Sequence, residues 1–164
     1  MILASAIAGP LSIAARSLNN SLVAKEQITA FFLAQDAVEY VRFVRDSNVL
    51  QSGDWITGAG AVSPVDLTPC IDANGCQVDT TSNTPNDVPT VCSATCSALY
   101  YDATAMRYTY TTSGSGISKT AFTRKILLTN INAYEYKLTV TVSWLDLGGV
   151  TRQVVVYENI YSWQ

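Results

Sequence analysis

Between Ile2 and Gln51 the chain contains one strong helix breaker, the pair Gly9–Pro10, and the next turn signal is Ser52–Gly53. Nothing else in the sequence restricts the fold so severely. A helix over residues 2–50, rising about 1.5 Å per residue, is roughly 70 Å long. A compact domain of this length has a radius of gyration of about 15 Å, so such a rod must project. Pro10 cannot donate one of the intrahelical hydrogen bonds, and a kink is expected there.

The two halves of this segment differ. Residues 1–15 carry no charge, and apolar or small residues occupy every side of the helix, which demands burial all round. Fifteen helical residues extend about 22 Å, short of the ~30 Å hydrocarbon core of a bilayer. No basic residue precedes the apolar run, as it would in a secretory signal. From Arg16 onward the pattern is amphipathic. In "LAQDAVEYVRFVRDSN" (33–48), Leu33, Ala37, Tyr40, Val41 and Val44 recur at spacings of three and four and form one stripe. Asp36, Glu39, Arg42, Arg45 and Asp46 occupy the rest of the surface. Their spacings suit surface ion pairs worth a few tenths of a kcal/mol, so a solvated face is expected, with contacts between subunits as the second reading.

A sheet should cover the apolar stripe. "YEYKLTVTVSWL" (134–145) puts Tyr134, Tyr136, Leu138, Val140, Val142 and Trp144 on one face and Glu135, Lys137, Thr139, Thr141 and Ser143 on the other. Such alternation marks an antiparallel strand with one buried face. "MRYTYTT" (106–112), "FTRKILLTN" (122–130) and "VTRQVVVYENIYSW" (150–163) read as three more strands, the last following the turn "DLGG". The reading is therefore α+β: a long protruding N-terminal helix, packed by its C-terminal half on a four-stranded antiparallel meander. Trp144 and Val142 are expected to face Ala37, Tyr40, Val41 or Val44. The helix takes residues 1–52, of which 1–25 are the apolar part, and a globular head takes 53–164.

Within the head, residues 53–97 read as loop, rich in glycine, proline, asparagine, serine and threonine and lacking a sustained period. All four cysteines, Cys70, Cys76, Cys92 and Cys96, lie there. Their even number and clustering favour disulfides made in an oxidising compartment. Asn74–Gly75, a tight-turn pair, stands between Cys70 and Cys76. Local Cys70–Cys76 and Cys92–Cys96 bridges are favoured, although four cysteines permit three pairings. A zinc site is the competing reading, but C-x5-C and C-x3-C lack the usual C-x2-C knuckle.

Composition narrows the function. There is no histidine, which excludes Ser-His-Asp and Cys-His catalysis, and no other catalytic constellation emerges, so neither an enzyme nor a cofactor is expected. Net charge is −3, without a basic run, which argues against nucleic acid. Charged residues make up 14% of the chain, against about 25% in ordinary globular proteins, and mean hydropathy is +0.17. That balance points to surface committed to other chains or to lipid. "DANG" (72–75) matches only the start of a calcium loop, lacking the later ligands, so no metal is assigned. Tyr134, Tyr136, Trp144, Tyr157 and Trp163 offer a carbohydrate platform or, more simply, core positions. "NNS" (19–21) fits a glycosylation sequon on a helix expected to be buried.

The combination resembles a type IV pilin or pseudopilin, particularly the minor pilins and type II secretion system relatives. "ILASAIAGPLSIAARSL" is similar to the second half of a pilin membrane segment. Leu33, Ala34, Gln35, Asp36, Ala37, Val38, Glu39, Arg42, Arg45, Asp46 and Asn48 fall on the pattern of the minor-pilin helix, and "VTVSWLDLGGVTRQVVVYENIYSW" is similar to the closing hairpin of the same relatives. The basic leader, cleavage glycine and Phe-Thr/Ser-Leu-(Ile/Leu)-Glu start of that family do not precede Met1, so the sequence is read as beginning inside the family's precursor. The resemblance implies a filament subunit anchored in the inner membrane before assembly and extracellular afterwards. Its partners would be copies of itself and other pilins. Ile2, Leu3, Ile7, Pro10, Leu11, Ile13, Leu18 and Leu22 would form the assembly helix. A pseudopilin of a secretion machine, or a membrane-anchored adhesin or carbohydrate-binding head that never polymerises, is the alternative.

Overall fold

The computed structural model describes residues 2–81, 88–146 and 148–162, and along the helix the side chains of Ile13 and of residue 16 onward. Helix α1 spans Ile2–Leu50 and continues through Gly9 and Pro10. It ends in a left-handed turn: Ser52 has φ 61°. There the Ser52 N–H donates to the Val49 carbonyl (2.9 Å) and the Gly53 N–H to the Asn48 carbonyl (2.8 Å). This pairing satisfies two carbonyls that the last helical turn would leave open. Gly53 is required by space, because a Cβ there would sit 2.8 Å from that of Ala61.

The head is a seven-stranded antiparallel sheet, not the four-stranded meander expected from the sequence. Its strands are β1 (Cys76–Gln77), β2 (Thr90–Val91), β3 (Ala98–Asp102), β4 (Arg107–Thr109), β5 (Ile117–Asn132), β6 (Glu135–Leu145) and β7 (Thr151–Tyr161). Strand β5 is central. One edge pairs with β6, which pairs with β7. The other edge takes two short arms, β3–β4 and β1–β2. The strands read at 106–112 and 122–130 are thus not neighbours, because β3 lies between them. The Asp102 carboxylate accepts the Thr104 and Ala105 N–H groups and closes the β3–β4 hairpin. Gly114 and Gly116, at φ 145° and 81°, then bring the chain back to pair β5 with β3.

Alternation holds along β6, where Leu138, Val140, Val142 and Trp144 are buried. Tyr134 does not share that face. It lies in the turn before β6 and is 62% exposed, since a turn residue is not held to the pleat of the strand. The helix contributes Ala30, Leu33, Ala34, Ala37, Val38, Val41 and Val44 to the same core, with Tyr40 half-buried against it. Phe122 and Trp144 pack with ring centroids 5.7 Å apart, and Trp55 meets Tyr136 edge-on at 5.5 Å.

Two disulfides staple the region between helix and sheet, Cys70–Cys76 and Cys92–Cys96. The first ties a 3-10 turn, Thr68–Ile71, to β1. Gly75 must be glycine here: its φ is 70°, and a Cβ would lie 2.6 Å from the Ile126 carbonyl oxygen.

Candidate assembly surface and its anchor on the head

Among the described side chains, the apolar stripe of α1 is covered in the second half of the helix. Over the roughly 40 Å of helix ahead of Ala30, no described side chain is buried. Ile13 is 69% exposed and Leu18 68%, and Leu22 and Ile28 are exposed as well; just past Ala30, Phe31 and Phe32 are also exposed, off the covered stripe. Of the residues expected on an assembly helix, Ile13, Leu18 and Leu22 lie on this open surface. The side chains of Ile2, Leu3, Ile7, Pro10 and Leu11 lie outside the described residues. Among the described residues no helix is long and apolar enough to cross a membrane. Asn19, Asn20 and Ser21 are exposed in the single chain, on a stretch of helix expected to be buried.

Where the helix meets the head, polar contacts fix its position. The Trp144 indole N–H donates to Glu26 Oε2 (3.0 Å), reaching further toward the N-terminus than the stripe from Ala37 to Val44. Arg42 donates to Glu158 Oε1 on β7 through Nε (2.8 Å) and Nη2 (2.6 Å). At the helix end the buried Asn48 amide donates to the Val65 carbonyl (2.9 Å) and accepts from the Val65 N–H (3.2 Å), holding the following loop as a strand neighbour would.

The central anchor is Arg124 of β5, 2% exposed. Its Nη1 donates to Asp36 Oδ2 (2.7 Å) and to the Leu33 carbonyl (3.1 Å), both on the helix. Its Nη2 donates to the Val78 carbonyl (3.0 Å) and to Thr80 Oγ1 (3.3 Å). The Thr80 hydroxyl in turn donates to Asp36. One guanidinium therefore joins helix, sheet and the loop after β1, and its charge is offset by a carboxylate. Such pairing is what makes a buried arginine tolerable.

These contacts change the reading of the charged helix residues. Asp36 and Arg42 are tethers to the sheet, while Glu39 pairs with Arg42 and Arg45 with Asp46 along the helix surface. Sequence reasoning missed Arg124, Glu26 and Glu158. Arg124 had a usable sign: its parity along β5 matches Phe122, Ile126 and Leu128, which puts it on the core face.

The aromatics do not form one platform. Trp144 is buried and Tyr136 half-buried toward the core, whereas Tyr157 is exposed on the opposite face with Lys137 Nζ 4.6 Å above its ring. Trp163 lies outside the described residues. In "DANG" the Asp72 carboxylate accepts the Asn74 N–H and its carbonyl the Gly75 N–H, which makes the segment a turn. No group of three or more metal-ligating side chains occurs among the described residues.

Three carboxyls elsewhere in the head are held below the usual range. For Asp54 the Thr57 N–H is the main cause. Burial pushes Asp79 up, but the hydroxyls of Thr109 and Thr81 and the N–H groups of Tyr110 and Thr81 together bring it down. Asp146 is lowered by the Val150 N–H and then by Arg152.

Compared with known protein families, curated proteins and solved structures, the chain matches none.

Proposed function

We propose that this chain is a structural subunit of a type IV pilus-like extracellular filament, assembled through a central bundle of its N-terminal helices. The observation that supports the reading is the open apolar surface of α1 ahead of Ala30, carried on a helix whose second half packs one stripe, Ala30 to Val44, on its own sheet. A single head has one core and cannot cover both halves. Helices from many copies, packed together, can. Burial at about 25 cal/mol per Å² of apolar surface over several turns then drives assembly, with the heads outside. Before assembly the apolar half would lodge in the inner membrane, as the resemblance to pilins implies.

The test is negative-stain microscopy of the full chain after detergent removal, with sedimentation and far-UV circular dichroism of the same samples. Filaments are expected from the unaltered chain. Leu18→Asp with Leu22→Asp should abolish them and leave the sheet signal intact. A full chain that sediments as a detergent-free monomer overturns the reading.

A further inference from the structure

A cleft of about 890 Å³ runs between α1 and the β3–β4 hairpin. Lys25, Phe32 and Asp36 stand on the helix wall, and Tyr101, Arg107 and Tyr108 on the hairpin wall. The volume falls in the range of small-ligand sites, about 300–1,000 Å³.

Its hydrogen-bonding character is lopsided. Asp36 is the one carboxylate among the described lining residues, and its charge is already offset by Arg124 at 2.7 Å. Lys25 and Arg107 have no carboxylate partner among the described residues, and Arg107 makes one long hydrogen bond, to the Thr81 carbonyl at 3.4 Å. Two cations without a carboxylate partner among the described residues thus line one cleft of a chain whose net charge is −3. The walls are aromatic: the Tyr101 and Tyr108 rings lie 5.2 Å apart and tilted, and Phe32 is 63% exposed. Desolvation in the first place, and then Tyr101, keep the Tyr108 phenol raised above its ordinary value, so it stays protonated and able to donate.

From this arrangement we infer that the cleft binds an acidic saccharide, its carboxylates accepting hydrogen bonds from Lys25 and Arg107 and the C–H face of a sugar ring packed on the Tyr101–Tyr108 surface. An anion the size of phosphate would leave the aromatic walls unused. A peptide adding as a strand needs a longer open edge than the three residues of β4. A nucleic acid needs a longer track of cations than two. The site borders the open stretch of α1, sharing Lys25 and Phe32 with it, and its occupancy is read on the full chain in micelles, where filament formation does not enter.

The experiment is isothermal titration of the full chain in detergent micelles with tetragalacturonate, and with maltotetraose as the uncharged sugar of equal length. Saturable binding of tetragalacturonate is expected, at least about tenfold tighter than maltotetraose, the scale of one charge-assisted hydrogen bond. Lys25→Gln with Arg107→Gln should weaken it by about tenfold or more, and Lys25→Glu alone, at an exposed helix position, should do so without touching the hairpin. Lys137→Gln, on the opposite face of the sheet, should leave it unchanged. No saturable binding, equal binding of maltotetraose, an equal loss in Lys137→Gln, or tighter binding of tetraglutamate or a short single-stranded DNA would each overturn the assignment.

Discussion

Arg124 carries a full charge into a largely hydrophobic core, and its partners decide what each substitution costs. Its Nε has no hydrogen-bond partner among the described residues, so the site is stabilised through the two terminal nitrogens alone. Arg124→Ala removes four hydrogen bonds, strands the Val78 carbonyl and leaves a cavity. A loss of about 3 kcal/mol is expected, and Arg124→Met, which keeps the volume, should lose less. Asp36→Ala leaves the guanidinium with neutral acceptors only. Because Asp36 is half exposed, the cost should be about 2 kcal/mol rather than the 3–5 of a fully buried pair. Urea midpoints followed by near-ultraviolet circular dichroism would rank the three. The lowered carboxyls of Asp54, Asp79 and Asp146 give a pH signature. Each has a folded pKa below its unfolded value of about 3.9, so each contributes stability that is present above about pH 4 and is lost as pH falls through the lowered folded values. Melting temperature should hold from neutral pH down to about pH 4 and drop below it. Asp79→Asn should melt lower at neutral pH and show a flatter acid limb.

The elements divide by how much period they can display. Helix α1 and strands β5, β6 and β7 are long enough for their repeats to be visible, and the stripe from Leu33 to Val44 packs against the face that carries Leu138, Val140, Val142 and Trp144. Strands β1 and β2 have two residues each, and "ALYYD" in β3 does not alternate. No periodic reading could find them. The insertion of β3 between β4 and β5 rests on the Asp102 turn and on two glycines with positive φ, local details whose consequence appears only in three dimensions. Arg124 was hidden for another reason: one charge in an apolar strand face carries no repeat. The alternation is testable at its centre. Val142→Asp puts an unpaired carboxylate into the core and should unfold the head. Thr141→Asp, opposite Lys125 in the β5–β6 register, should be tolerated. Equal loss from both, measured by thermal melts, would mean that the faces are not distinct. At the end of α1, Ser52 holds a conformation that glycine adopts without strain, so Ser52→Gly should raise stability by about 0.5–1 kcal/mol.

At the scale of the whole molecule, one half of a long helix has its cover within the chain, and in the other half no described side chain is buried. If the open half bundles with its counterparts, association should follow its apolar area: Ile13→Ala, at an exposed position, should weaken assembly less than Ile13→Asp and leave the melting of the head unchanged, both readable by sedimentation. The manner in which the covered half is held also has a mechanical meaning. Glu26, Leu33 with Asp36, Arg42 and Asn48 are attached at successive points along about 33 Å of helix. Tension along the helix axis loads all of these attachments at once, in shear, together with the packed stripe between them. A sideways pull at the projecting end loads them one at a time, beginning at Glu26. The joint between arm and head is therefore strong along its length and weak across it, the behaviour of a lap joint rather than a hinge.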